Sequence, residues 1–348
     1  CAVTLTNLGV DRQFIGYDAG LALAYPQTNS LQLSAWNELY APGLPSSVNL
    51  LSLPWIATTW ALTALGFSPQ LLQRLLYCAL VFGALFLSFI FLYSTLSPNR
   101  WRVPACVLGS LLYAFNPWSM LLLTFPPTPH ESFWPLLPLQ LHLFKTGLYR
   151  GASLVTAVAF VLVSLAVLGT NPAYASVAVV LLAGLFLTHM FTTPDARLAG
   201  IKFLGLSLLV TVPTTAYVWL PLFASSSDPY QAIGNVTGFA KADLTAVKFN
   251  SLRSSFSNLL RADGSTALPW QRYFETVYHG IPAIIAGYGL TILSLSSGIV
   301  ASPNSRRTIV FHSLALLVAL FLAKGTHPPL GEINLFIYDN LRAFLMFR

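Results

Sequence analysis

The sequence predicts an all-α polytopic membrane protein, and three observations carry that prediction. Of its 348 residues 55% are hydrophobic and only 8% are charged, where an ordinary soluble domain carries about 25% charged residues. Apolar runs close to the roughly 20 residues needed to cross a bilayer recur along the chain. Lys and Arg collect in alternate short connections, which is how a multi-spanning chain marks its cytoplasmic side. The formal charge of +7 therefore reads as a topology signal rather than as a nucleic-acid footprint.

Residues 1–70 open the chain. They are polar and turn-rich to about residue 47, with Pro26, Pro42, Gly43 and Pro45. The apolar segment Asn49–Phe67 is interrupted by Pro54 and reads as a juxtamembrane or re-entrant helix, not a span. Residues 71–223 hold six expected transmembrane helices, in the runs Leu71–Leu96, Val103–Phe125, Thr128–Thr146, Ala152–Gly169, Ala173–Phe191 and Ile201–Phe223. Pro135 and Pro138 should kink the third. Residues 224–279 form a polar insertion. Within it Leu244, Val247, Leu252, Phe256 and Leu259 make an apolar stripe among Lys241, Lys248, Arg253 and Arg261, as in an interfacial amphipathic helix. Two further spans, in Ile281–Val300 and Ile309–Ala323, occupy 280–323, and 324–348 is an outer tail.

The charges set the sidedness. Arg100 and Arg102, Lys145 and Arg150, Arg197 and Lys202, and Arg306 and Arg307 lie in four short connections with a single acid, Asp195. The alternate connections FPPTPHE and GTNPA carry no Lys or Arg. The basic loops are thus expected on the cytoplasmic side. The opening stretch, the His130–Glu131 loop, the 224–279 insertion and the tail are then extracytoplasmic, with ten of the 11 acids, all but Asp195.

Chemistry has few places to reside. Asp18, in Gly-Tyr-Asp-Ala-Gly, reads as a general base, a partner for a bound cation or an ordinary loop carboxylate. Glu131, preceded by His130, either reacts at an outer mouth or closes a capping box with Thr128 across Pro129. Trp36 and Asn37 are candidate substrate contacts in the first outer loop. Asn171 either starts the GTNPAY turn or binds a sugar hydroxyl. Arg253, Arg261 and Arg342, with Arg272, Lys324 and Arg348, are outer cations that the topology rule does not require, and arginine suits a phosphate. His142, His189 and His312 read as packing histidines. The three cysteines, Cys1, Cys78 and Cys106, show no disulfide framework, and no metal or nucleotide motif is present. Cys1 has no initiator Met before it, and a chain that is part of a longer protein is the preferred reading over a lipoprotein.

Several stretches converge on one likeness: Trp36-Asn37 followed by Gly43, the LPW segment leading to LGFSPQLLQRLLY, LLYAFNPWS, GTNPAY, and the close HPPLGEINLFIYDNLRAFLMFR. Together they resemble the GT-C membrane glycosyltransferases, especially arabinofuranosyltransferase-like integral membrane proteins. The resemblance implies a GT-C-like helix bundle with extracytoplasmic loops in the cell membrane. It implies transfer of a sugar from a polyprenyl-phosphate donor to a glycan, lipid or protein acceptor, with inversion. Asp18 matches the family's first-loop base, and Glu131 an acid or substrate contact in the second outer loop. Membrane lipid is the other expected partner, nucleic acid is not, and a divalent cation is left open as a cofactor. The resemblance also implies a helix before Cys1. The alternatives are a non-catalytic membrane scaffold of the same fold, and a lipid or solute transporter.

Overall fold

The computed structural model describes residues 36–37, 44–45, 53–116, 119, 133–151, 153–168, 172–216 and 303–340, with scattered positions between 260 and 296. The described chain is mostly helical. A two-residue ladder pairs β1 (Trp36–Asn37) antiparallel with β2 (Leu44–Pro45), Trp36 opposite Pro45. It is a small departure from the expected all-α chain. The chain divides into two compact units, Cys1–Phe115 with Leu122–Ala240, and Asn116–Leu121 with Lys241–Arg348.

In the first unit, α1 (Leu53–Ala64) is a 12-residue helix, too short to cross a bilayer. It falls within the segment expected to be non-spanning. Helix α2 (Pro69–Thr95) starts where Ser68 caps it: its Oγ accepts from the Leu71 amide at 3.3 Å, and Pro69 occupies the first turn. Helix α3 covers Arg102–Ala114 only. The expected span Val103–Phe125 is therefore not one continuous helix. Asn116-Pro117 breaks it, because a residue before proline is pushed out of the helical region. The Asn116 side chain instead binds Ser119, accepting from its amide at 3.0 Å and donating to its hydroxyl at 2.8 Å, which is the behaviour of an N-cap.

Helices α4 (Phe133–Arg150), α5 (Leu154–Leu168), α6 (Pro172–Thr192) and α7 (Arg197–Thr214) follow in the expected order, with a 3-10 turn at Pro194–Ala196 before α7. Gly151 takes φ 97° just past α4, where only glycine is at ease. Helix α4 is central: α2, α5, α6 and α7 all pack on it. The rings of Phe144, Phe160 and Phe203 meet at 5.3–5.9 Å, and Leu148, Ala157 and Val161 complete that cluster. A second cluster, Phe133, Val167 and Ala178, holds α4 to α5 and α6.

Apolar side chains fill the core and also cover much of the exposed surface, and several polar side chains are buried among them. Along α2 the outward positions are Leu71, Leu75, Phe82, Phe86 and Tyr93, while Gln73 and Ser88 are buried. Ser110, Gln140, Thr188, His189 and Ser207 are also buried. Small residues sit at the helix contacts: a Cβ on Gly83 would lie 3.0 Å from Pro135, and one on Gly147 would collide with the Phe203 ring. Close approach through small residues and polar groups turned inward are the packing rules of helices in lipid. Hydroxyls return to their own helix, as Ser110 to the Cys106 carbonyl at 2.7 Å and Thr188 to the Gly184 carbonyl at 2.9 Å, which satisfies them without water. Among the described residues two segments, Gln70–Thr95 and Pro194–Thr214, are long and apolar enough to cross a membrane by length and composition, and Arg102–Ala114, Leu154–Val167 and Val177–Thr192 are shorter apolar helices.

In the second unit, α8 (Pro303–Ala323) leads through a tight turn into α9 (Gly331–Asn340).

Candidate functional site

Side-chain contacts fix which helix ends in the first unit lie together. The end of α2 meets the end of α4: Ser94 Oγ is 3.0 Å from His142 Nδ1, and Lys145 Nζ is 3.1 Å from both the Ser94 carbonyl and Thr95 Oγ1. Arg102, opening α3, donates through both Nε and Nη2 to the Tyr93 carbonyl and lies 3.7 Å over the Tyr93 ring. These two cations supply donors to the carbonyls that the last turn of α2 leaves open. Tyr149, at the end of α4, meets the His189 ring edge-on at 4.6 Å near the end of α6. The start of α7 packs there as well, since a Cβ on Gly200 would be 2.9 Å from His189 Nε2.

Three of the four basic connections read from the sequence thus gather at one end of this unit. Arg100, Arg102, Lys145, Arg150, Arg197 and Lys202 belong to that end, with Asp195 as its acid. Trp101 and Tyr149 are exposed there. His189 is fully buried; its Nδ1 is 2.8 Å from Thr193 Oγ1 and its Nε2 is 3.2 Å from the Ala196 carbonyl. It is a packing histidine whose ring closes the α6–α7 turn. His142 has Ser94 as its partner.

The opposite end is built differently. Tyr113, in the last turn of α3, donates to the Trp134 carbonyl at 2.6 Å, and Trp134 Nε1 donates back to the Tyr113 carbonyl at 3.3 Å. This reciprocal pair clamps the first turn of α4 to the end of α3 with no charge involved. Phe133, at the clamp, is two positions beyond Glu131 in sequence. Midway between the ends, Gln140 Nε2 donates to Ser164 Oγ at 2.9 Å.

Of the residues expected to act, Trp36 and Asn37 lie in β1, Asn37 opposite Leu44. Asp18, His130, Glu131, Asn171, Arg253, Arg261 and Arg342 lie outside the described residues, as does the Thr128 capping box. Among the described residues no group of three His, Cys, Asp or Glu comes together to hold a metal.

The turn between α8 and α9 is a site that sequence reasoning touched through Lys324 as an outer cation and through the closing stretch that begins at His327. That lysine is 1% exposed, donates to the His327 carbonyl at 2.6 Å, and lies 4.8 Å from the Phe321 ring. Burial pushes its pKa below the usual lysine value. Asn334, wholly buried, donates to the carbonyls of Phe321 at 2.9 Å and Gly325 at 2.6 Å. Its Oδ1, and the buried Nε2 of His327, have no hydrogen-bond partner. A Cβ on Gly331 would collide with the Thr326 carbonyl, so only glycine lets the turn close. The sequence signal for this site is the spacing of Lys, His and Asn around Gly-Thr-His-Pro-Pro-Leu-Gly, which becomes informative only once burial is seen.

Comparison with protein-family profiles, with curated proteins and with solved structures returns no match.

Proposed function

We propose that the chain is the membrane-embedded part of a GT-C-like glycosyltransferase, acting on a polyprenyl-phosphate sugar donor at the extracytoplasmic face. The observation that carries this reading is the gathering of the cationic loops at one end of the first unit. It leaves the opposite end, where α3 and α4 are clamped beside the His130–Glu131 sequence, free for outer-face chemistry. The exposed apolar surface of the helices and the GT-C resemblance support the same reading.

The reaction is a displacement at the anomeric carbon. Asp18 takes the proton from the acceptor hydroxyl as its oxygen bonds to that carbon. The carbon–oxygen bond to phosphate breaks, its electron pair leaves with the prenyl phosphate, and configuration inverts. Arg253, Arg261 or Arg342 balances the charge on the departing phosphate. Glu131 and His130 hold the acceptor or donor sugar, as do Trp36, Asn37 and Asn171.

The test is transfer of radiolabelled sugar from a panel of polyprenyl-phosphate donors by the full-length protein in lipid. Asp18→Asn is expected to lower turnover about 10²-fold or more with the folded protein intact. Undiminished turnover in Asp18→Asn refutes the base assignment. Movement of donor across proteoliposomes without transfer supports a transporter instead, and neither activity supports a scaffold.

A further inference from the structure

We propose that the turn between α8 and α9, residues 324–334, binds a phosphate group whose substituent carries a hydroxyl. Lys324 supplies the first half of the argument. Its side chain is buried, and a backbone carbonyl and a phenyl ring are its neighbours; among the described residues no carboxylate pairs with it. One of its three N–H groups is used, and two remain. A buried cation without a counter-ion is costly, and an anion at Nζ removes that cost.

Asn334 supplies the second half. Two carbonyls take both hydrogens of Nδ2, which fixes the amide orientation. The opposite atom, Oδ1, is buried and has no donor. A carbonyl oxygen can only accept, so the missing group is an O–H or N–H. A phosphate ester ionised at its free oxygens has none, whereas the hydroxyl of a glycosyl or glycerol substituent has one. His327 Nε2, also buried and unpartnered, can serve either component. The Asn334 amide joins Gly325, next to Lys324, so cation and acceptor belong to one turn. That turn begins one residue beyond the apolar helix α8, the depth at which a lipid phosphate lies.

Two sources share this chemistry: the headgroup of a lipid-linked sugar, and a soluble polyol phosphate. The choice of lipid as the source rests on the transferase reading; the site itself does not.

The experiment uses the full-length chain in nanodiscs of zwitterionic lipid and follows hydrogen exchange in peptides covering 321–334. The probes are methyl phosphate, glycerol 3-phosphate and farnesyl-phosphoryl-glucose. Slowed exchange with farnesyl-phosphoryl-glucose alone identifies a lipid source, and slowed exchange with glycerol 3-phosphate as well identifies the shared phosphate–hydroxyl chemistry. Methyl phosphate, compared at about pH 8 where both monoesters are fully ionised and lacking any O–H, should bind about tenfold more weakly than glycerol 3-phosphate or worse. Lys324→Met should weaken binding by about tenfold or more, and Lys324→Arg should retain most of it. Exchange unaffected by either hydroxyl-bearing ester in the wild type overturns the site and leaves its polar atoms to water; so does undiminished binding in Lys324→Met. Equal binding of methyl phosphate and glycerol 3-phosphate overturns the role given to Asn334. If Lys324→Met does not fold, the wild-type exchange decides. Phosphate-ester binding without any sugar transfer keeps this site and sinks the transferase; transfer with no protection of 321–334 does the reverse.

Discussion

Lys145 and Lys324 do the same thing in different surroundings. Each donates to backbone carbonyl oxygen near the end of an apolar helix. Lys145 is partly exposed, beside Arg102, and its target is the open C-terminal turn of α2, where the helix dipole favours positive charge. Lys324 is buried, and the groups around it leave acceptor and donor capacity unfilled. The first arrangement is complete as it stands and caps a helix. The second leaves the Asn334 Oδ1 and His327 Nε2 atoms unpaired, and that difference is the premise of the proposed phosphate site.

The largest effect expected from perturbing either region comes from Gly331→Ala. The colliding atom is a backbone carbonyl, which has little room to yield. A loss of about 3 kcal/mol and of glycerol 3-phosphate binding should appear in melting curves and titrations of the detergent-solubilised protein. Gly147→Ala, on the first unit, should cost about 1–3 kcal/mol, because Phe203, the ring it meets, is itself fully buried. It should leave phosphate binding unchanged.

The two lysines should then respond with opposite sign. Lys145→Met removes a satisfied cap and should destabilise by about 0.3–1 kcal/mol. Lys324→Met removes an uncompensated buried charge and should raise the melting temperature of the ligand-free protein. A matching pH effect is the smallest. The folded Lys324 gives up its proton below the unfolded value of 10.5, so between those two values the unfolded chain binds more protons. Stability should rise with pH across that window, level off above 10.5, and rise less in Lys324→Met. Melting curves of the two proteins compared from neutral pH upward isolate this contribution from other groups.

Much of the helical order was legible in the sequence because its punctuation is strong. Ser68-Pro69 starts α2, Gly151 ends α4, and cations mark the ends that cluster. The continuous run Val103–Phe125 misled because hydropathy is blind to backbone geometry; Asn116-Pro117 interrupts it without lowering the apolar average by much. His189 was legible as a packing residue, from its place in an apolar run. The Lys324–Asn334 site was not, because its defining features are an amide oriented by two distant carbonyls and a charge enclosed by neighbours. Both are tertiary facts. Asp18, the proposed base, and Glu131, the proposed sugar contact, rest on sequence reasoning alone.

Sidedness is the claim beneath the proposed chemistry, and labelling tests it directly. Single cysteines at Asn99 and Asp195, and separately at Asp18 and Glu131, would be placed in the full-length chain with Cys1, Cys78 and Cys106 changed to serine. A membrane-impermeant maleimide is then added to intact cells. The account predicts that positions 18 and 131 label from outside, while 99 and 195 label only after the membrane is opened. Labelling of position 18 or 131 together with 99 in intact cells, or only after permeabilisation, contradicts it.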